Sequence, residues 1–156
     1  MKLGLQILVL AIILAIFSAI AATWITTTEM MQPEQKECSI ESYIYCKGPA
    51  ELGVKYRRIQ LTTNDNLRLK GWFVRGDSSN KGIVIVHEQG GTRHAGLRYA
   101  KPLNENGFSV LMLDLRNSGD SEGQFSTLGY QERNDVLAAA RFLLNNHKLK
   151  SIGVLG

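Results

Sequence analysis

The sequence predicts an α/β protein in which a parallel sheet with crossover helices follows one long apolar helix. Three observations predict this class. Residues 3–22 carry no charge, residues 81–88 and 108–114 contain runs of β-forming side chains, and apolar residues between 128 and 147 recur at helical spacing. Strand, helix, strand, helix and strand in this order are typical of right-handed crossovers in a parallel sheet.

The apolar segment at residues 3–22 is long enough to cross about 30 Å of hydrocarbon as a helix. Lys2 precedes it, and Glu29 and Glu34 are the first charges after it, so the N-terminus is expected in the cytoplasm. The small residues near Ala21 also fit a cleavage site. A retained single-pass anchor, which the length favours, and a secreted protein cleaved near Ala21 both stay open. Each places the following domain outside the cytoplasm.

The composition divides the chain into three parts. Residues 1–23 form the transmembrane anchor or signal peptide, residues 24–52 a polar linker, and residues 53–156 a partial α/β domain. Cys38 and Cys46 lie in the linker, where an oxidising compartment would permit one disulfide; two free thiols are the alternative. No histidine lies near them at the spacing of a zinc site, and neither metal nor cofactor is expected.

The charges and glycines of the chain argue against two classes of ligand. The net charge of +4 is spread without a basic stripe, so no nucleic acid partner is predicted. Gly91 and Gly96 have the spacing of a phosphate-binding loop, but Leu97 and Arg98 stand where that loop needs Lys and Ser or Thr. The glycine spacing also differs from that of a dinucleotide-binding turn. Nucleotide binding is therefore disfavoured.

The domain is predicted to begin with an antiparallel hairpin. Residues 54–63 and 67–74 are rich in β-forming side chains and flank a turn-prone triplet that contains Asp65, which is expected to be a turn residue. A helix is predicted over 94–106, with Pro102 kinking or dividing it, and a second helix over 128–147. Residues 151–155, "SIGVL", are predicted to be a third buried strand.

Two short stretches are candidates for a serine nucleophile. "GDSEG" at 119–123 is a literal G-x-S-x-G, a motif in which the serine must lie on a sharp turn directly between a strand and a helix. The preceding strand is expected to end near Asp114, well before the motif, so Ser121 is predicted to be a loop residue. The required context occurs at "SIGVLG" instead. Gly156 would be the first glycine of the turn, and the nucleophile is expected two residues after it.

The segments "GIVIVHEQGGTR", "NGFSVLMLDLRNSGDSEG", "GYQERNDVLAAARFL" and "IGVLG" follow one another in an order that resembles the N-terminal half of an α/β-hydrolase. The resemblance covers residues from about 49 to 156. Within this family, the chain is similar to exported or membrane-anchored bacterial hydrolases with serine-aminopeptidase-like domains. The resemblance implies that His87 opens the loop of the oxyanion hole, together with Glu88, Gln89 and Gly90. The backbone N–H of Gln89 would be one donor. Glu88 stands where this family usually has glycine, so it either faces away or alters the hole.

The resemblance also implies a structural role for Asp114 and Arg116, which match an Asp-x-Arg loop after the fourth strand. The triad of this fold follows the order Ser, acid, His, so His87, His94 and His147 precede the position of a catalytic base. Nucleophile, acid and base are then all expected outside these 156 residues. His94 and His147 are expected in surface or loop roles.

Two functions follow. The first is a fragment of a membrane-anchored or exported serine hydrolase that cleaves a small-molecule or peptide substrate, an ester, thioester or peptide, through an acyl-enzyme. The second is a non-catalytic, truncated or degenerate hydrolase domain that acts as a membrane-tethered interaction module. An apolar strand at 151–155 would be an aggregation-prone edge unless further strands, or a second chain, complete the sheet.

Overall fold

The computed structural model describes residues 2–35, 38–39, 43–77 and 80–156. The helices and strands, in chain order, are α1 (Lys2–Met31), β1 (Tyr56–Thr62), β2 (Arg68–Val74), β3 (Lys81–Ile85), α2 (Leu97–Glu105), β4 (Ser109–Leu113), α3 (Glu132–His147) and β5 (Ser151–Leu155). Short 3₁₀ turns occupy Pro49–Leu52 and Arg93–Gly96.

The five strands form one mixed sheet in the order β1-β2-β4-β3-β5. β1 pairs with β2, and β2 with β4, in antiparallel fashion, whereas β3 pairs in parallel with both β4 and β5. The hairpin turn contains Asn66 in a left-handed conformation (φ 66°) and is closed by Thr63, whose Oγ1 accepts from the Leu67 N–H at 3.0 Å. The predicted fold class is confirmed.

Helices cover both faces of the sheet. Neighbouring residues of a strand point to opposite faces, and Trp72 and Phe73 of β2 accordingly belong to separate cores. Phe73 packs with Leu143 of α3, and Trp72 packs with Leu97 of α2. All five residues of β4 are buried, as expected for a central strand.

Three sequence predictions are corrected in detail. The segment from Arg93 to Gly96 is a 3₁₀ turn, and α2 begins at Leu97 and continues past Pro102 without ending there. α3 begins at Glu132 rather than at residue 128, because the Glu132 carboxylate accepts hydrogen bonds from the preceding turn. β5 is not buried: Val154 is 56% exposed, since β5 pairs only with β3 among the described strands.

α1 is a 30-residue helix whose residues 3–30 are all exposed. Its segment Leu3–Met31 contains an 18-residue stretch with a mean hydropathy of 2.7 and is long and apolar enough to cross a membrane. A signal sequence satisfies the same test. The helix is thus a candidate membrane span or signal segment.

Candidate functional site

The carboxyl ends of β3, β4 and β5 lie at the same edge of the sheet because these three strands are parallel. Ligands of open α/β sheets bind outside such an edge. A cavity of about 500 Å³ lies there, between the loop after β3, the loop after β4 and the start of α3. Its lining includes His87, Glu88, Gln89 and Arg116 of the predicted site, together with apolar side chains.

The loop after β3 contains a tight turn. The Gly91 N–H donates to the Glu88 carbonyl at 2.9 Å, which leaves Gln89 and Gly90 at the centre of the turn. Gly90 has φ +72°, the left-handed conformation that favours glycine at the third position of a type II turn. Among the described residues, no acceptor is hydrogen-bonded to the Gln89 backbone N–H. The turn therefore leaves one backbone donor open beside the cavity.

His87 joins the loops after β3 and β4. Its Nδ1 donates to the Glu88 carbonyl at 2.7 Å, and its Nε2 accepts from the Leu115 N–H at 3.1 Å. The second contact requires an unprotonated Nε2, so the ring is the neutral Nδ1–H tautomer. Because both nitrogens bond to backbone groups, His87 stabilises the loop and is not available as a base.

The exposed Glu88 side chain folds back over its own turn. A Cβ added at Gly91 would lie 2.9 Å from both Cδ and Oε2 of Glu88. The carboxylate thus occupies the space that any larger residue at position 91 would need. It lies against Gly91 at the rim of the cavity.

Asp114 fixes the loop after β4 to the segment that precedes α2. Its buried carboxylate accepts from the Arg93 N–H at 2.7 Å, from Arg93 Nη1 at 2.9 Å and from the Asp120 N–H at 3.1 Å. A Cβ at Gly119, where φ is +53°, would lie only 2.3 Å from Asp114 Oδ2. These hydrogen bonds connect the loop after β4 with the turn at Arg93–Gly96.

Arg116 holds three elements together. Its buried guanidinium donates to Asp135 of α3 at 2.8 Å, to Asp65 of the hairpin turn at 2.9 Å and to Gln131 at 2.7 Å. Burial alone would lower the pKa of Arg116, but the hydrogen bonds and charges of Asp135 and Asp65 outweigh it and raise that pKa. Asp65 is thus both a turn residue and the partner of a buried cation, which its local sequence does not indicate.

Ser121, the serine of the G-x-S-x-G match, is bonded to backbone on both sides. Its Oγ donates to the Asp114 carbonyl at 2.8 Å and accepts from the Lys70 N–H at 2.8 Å. The hydroxyl links β2 to the loop after β4. Among the described residues, no histidine is hydrogen-bonded to Ser121 Oγ, so the geometry of an activated nucleophile is not present there.

Glu132 organises the turn before α3. Its carboxylate accepts from the Thr127 N–H at 2.7 Å, the Thr127 hydroxyl at 2.7 Å and the Gly129 N–H at 2.8 Å. Burial acts to raise the pKa of Glu132, but the hydrogen bonds from Thr127 and Gly129 outweigh it and lower that pKa. Glu132 therefore shapes one wall of the cavity in its ionised form.

The linker contributes a residue that the sequence analysis did not identify. Cys38 and Cys46 form a disulfide, and between them Tyr43 is buried, with its hydroxyl accepting from the Thr92 N–H at 3.3 Å. The linker thus packs against the start of the α2 segment. Tyr43 and Tyr45 lie on either side of Ile44 in the linker, and the sequence carries no local signal for which of them makes this contact.

The other two histidines lie apart from the cavity. His94 packs edge-on against Trp72, with ring centroids 4.8 Å apart, and His147 lies against Phe73 at 4.0 Å. Burial, followed by the charge of Arg93 or Arg75 respectively, lowers the pKa of each ring. Among the described residues, no group of three or more His, Cys, Asp or Glu side chains is placed to hold a metal ion.

The fold is similar to that of solved α/β-hydrolases. The chain superposes on the esterase Pf2001 of Pyrococcus furiosus with a TM-score of 0.66 and 30% identity, covering 78% of this chain and 47% of the esterase. A serine hydrolase homologue from Coxiella burnetii, at 21% identity and a TM-score of 0.55, shares the fold over 63% of this chain and 50% of its own. The predicted α/β-hydrolase fold is therefore confirmed.

Curated relatives match a shorter stretch. Thiohydrolase aneE of Aspergillus aculeatus is 32% identical over 69 residues, and the uncharacterized protein YfhR of Escherichia coli K12 is 34% identical over 76 residues. These alignments cover 44% and 46% of this chain but 22% and 27% of the relatives. No protein-family profile matches the sequence. The chain thus spans about half the length of the solved esterase. Its alignments with the curated relatives cover about a quarter of each relative.

Proposed function

We propose that this chain supplies the leader helix, the oxyanion loop and the elbow strand of an exported or membrane-anchored serine hydrolase. The main support is the turn from Glu88 to Gly91, which leaves the Gln89 N–H without a hydrogen-bond partner among the described residues at the carboxyl edge of the sheet. An α/β-hydrolase takes one oxyanion donor from the loop after β3 and the other from the residue after the nucleophile. The Gln89 N–H is the first of these donors in this proposal.

The end of β5 has the close approach that a nucleophile turn needs. The Val86 N–H donates to the Leu155 carbonyl at 2.9 Å, which brings the strand end next to the loop after β3. A Cβ at Gly156 would lie 2.6 Å from Val86 Cγ2, so glycine fits where a larger residue would clash. A serine two residues after Gly156 would then follow the strand directly, beside the Gln89 turn.

The reaction follows from these positions. The serine Oγ attacks the substrate carbonyl carbon, and the resulting oxyanion accepts hydrogen bonds from Gln89 and from the residue after the serine. A histidine takes the serine proton during the attack and gives it to the leaving group, which departs to leave an acyl-enzyme. Water then hydrolyses the acyl-enzyme with the same histidine as base. One preorganised backbone donor of this kind stabilises the transition state by roughly 3 to 4 kcal/mol. An acid and a histidine, later in the triad order, would complete the site.

The similar proteins favour an ester or thioester over a peptide, because one solved neighbour is an esterase and one curated relative a thiohydrolase. The Cys38–Cys46 disulfide supports a location outside the cytoplasm, where such bonds persist. The proposed division of the chain is residues 1–23, 24–52 and 53–156. These assignments extend the confirmed fold to the activity of the whole protein.

A non-catalytic, membrane-tethered module is the second candidate. It is favoured by the exposed edge of β5, where Val154 and Leu155 could pair with another strand. It requires no nucleophile. The two candidates therefore differ in whether any serine of the mature protein is activated.

A fluorophosphonate probe separates the two candidates. The protein expressed from its native gene would be treated with the probe, digested, and mapped by mass spectrometry, with heat-denatured protein as the control. We expect one labelled serine in the segment that directly follows Gly156. Absence of any labelled serine would refute the hydrolase and favour the interaction module, and a label on Ser121 would refute the assignment of the nucleophile.

A further inference from the structure

The last turn of α1 is bonded to both loops that line the cavity. The Met30 carbonyl accepts from Gln89 Nε2 at 2.5 Å, and the Met31 carbonyl accepts from the Ser126 N–H at 2.7 Å. Carbonyls at a helix C-terminus lack partners within the helix. These two find their partners in the candidate site, so the apolar helix ends at the carboxyl edge of the sheet.

The chain that leaves α1 runs across the same edge. Gln35 accepts from the Gly119 N–H at 3.1 Å through Oε1 and donates to the Asn117 carbonyl at 3.0 Å through Nε2. The Glu34 carbonyl lies 3.0 Å from where a Cβ on Gly90 would be. Contacts from residues 30–35 therefore fix the direction in which the cavity faces relative to the helix.

The segment tied to Met31, residues 124–130, exposes large apolar side chains beside the cavity. We call it the apical loop. Phe125 is 44% exposed, Leu128 63% and Tyr130 69%, and the guanidinium of Arg133 lies 4.9 Å from the centre of the Tyr130 ring. Aromatic and basic side chains of this kind are typical of segments at the interface between membrane and water.

The length of α1 places this loop near a bilayer. Trp24, with an exposed indole, is the side chain expected at the interface when residues 3–22 occupy the hydrocarbon. Met31 lies seven residues beyond it, roughly 10 Å along a helix, whereas each headgroup layer is about 5 to 8 Å thick. The apical loop therefore lies at the height of the headgroups or just above them.

We propose that the apical loop contacts the headgroup layer of the membrane that α1 spans, and that the cavity takes its substrate from that membrane. The substrate class is then a long-chain acyl ester or thioester, a part of the inference that rests on the proposed hydrolase function. Val86, Leu115, Leu128 and Val136 supply apolar wall for an acyl chain. The Gln89 N–H, which lies at the same cavity, would donate to the carbonyl oxygen of the substrate's ester or thioester group.

Fluorescence quenching tests the membrane contact without any need for catalysis. Leu128→Cys is the test variant and Leu144→Cys the matched control, because both replace exposed leucines, one before α3 and one near its end. Each cysteine would be labelled with an environment-sensitive fluorophore. The labelled protein would be placed in phosphatidylcholine vesicles that contain a lipid with a spin-labelled headgroup. We expect several-fold stronger quenching at position 128. Tyr130→Cys serves as a second reporter should the label at 128 disturb the loop. Equal quenching at both ends, or protein that does not float with the vesicles, would overturn the proposal.

Hydrolysis by the full-length protein tests the substrate class. A long-chain thioester in vesicles would be compared with a soluble short-chain ester, for the wild type and for the double variant Phe125→Ser and Tyr130→Ser. We expect the rate ratio of the vesicle substrate to the soluble substrate to fall several-fold in the variant. An unchanged ratio would overturn the inference about the membrane substrate and leave the proposed hydrolase function standing. Wild-type protein that cleaves neither substrate and takes up no fluorophosphonate would instead refute the proposed function.

Discussion

The loops after β3 and β4 lie side by side at the carboxyl edge, yet their polar groups are used in opposite ways. The loop after β4 contains the serine motif, but Ser121, Asp114 and Arg116 all bond to other parts of the protein. The loop after β3 contains no serine, but its turn leaves the Gln89 N–H open beside the cavity. The difference shows that a polar group without a hydrogen-bond partner indicates a substrate-binding site better than a match to a sequence motif does.

The largest expected effect in the β4 loop is that of Arg116→Ala. The change would leave the fully buried Asp135 carboxylate without its cation, and removal of one partner of a buried pair costs about 3 to 5 kcal/mol. Urea unfolding of the protein in detergent micelles measures this loss. Arg68→Ala, which removes the cation of the exposed pair with Glu122, is the matched control and should change the free energy of unfolding far less. Equal losses would contradict the structural role of Arg116.

Gly119→Ala should destabilise the β4 loop by a smaller amount. A left-handed backbone costs an L-residue about 1 to 2 kcal/mol, and the new Cβ would also displace the Asp114 carboxylate. Gly53→Ala isolates the backbone contribution, because Gly53 has φ +71° with nothing within 4 Å of its added Cβ. Melting temperatures should fall more for position 119 than for position 53. The same fall at both would mean that the contact with Asp114 carries no stability.

Ser121→Ala should reduce stability without abolishing the activity of the full-length protein. Loss of the hydroxyl leaves the Lys70 N–H and the Asp114 carbonyl without their partner, at a cost of about 1 to 3 kcal/mol. Thermal unfolding should detect it, with Ser151→Ala, on an exposed serine, as the control. Fluorophosphonate labelling should persist in the folded variant. If folded Ser121→Ala protein is no longer labelled, Ser121 takes part in the reaction and the proposed difference between the two loops is wrong.

Glu132→Gln gives the smallest expected effect, and one that depends on pH. The folded state lowers the pKa of Glu132, so its carboxylate contributes stability that is present above its unfolded pKa of about 4.3. That contribution is lost as the pH falls through the lower folded pKa. Unfolding measured from pH 7 to pH 3 should show the wild type as more stable at neutral pH and the gap closing in acid. A gap that widens in acid would contradict this account.

Local patterns predict most of the sheet. The β-branched run at Ile83–Val86 and the turn triplet around Asp65 identify β3 and the hairpin, because buried strands and tight turns depend on neighbouring residues. The start of α3 is missed, since it depends on hydrogen bonds from the Glu132 side chain to a preceding turn. The contact of Asp65 with Arg116 joins residues 51 positions apart and carries no local signal.

The candidate site is predicted in part. The resemblance to α/β-hydrolases indicates Gln89 and its loop, whereas only the structure shows the type II turn and the open donor. The contact of Gln89 with Met30 brings a helix end to the cavity across 59 positions of sequence. Apolar periodicity identifies that helix but cannot indicate where its last turn packs.

The structure of the full-length protein with its nucleophile phosphonylated tests the role of the β3 loop most directly. The phosphonyl oxygen mimics the oxyanion of the tetrahedral intermediate. We predict that this oxygen lies about 2.7 to 3.1 Å from the Gln89 backbone nitrogen, with the modified serine just after β5. An oxygen directed away from the loop after β3, or a phosphonylated Ser121, would contradict the account.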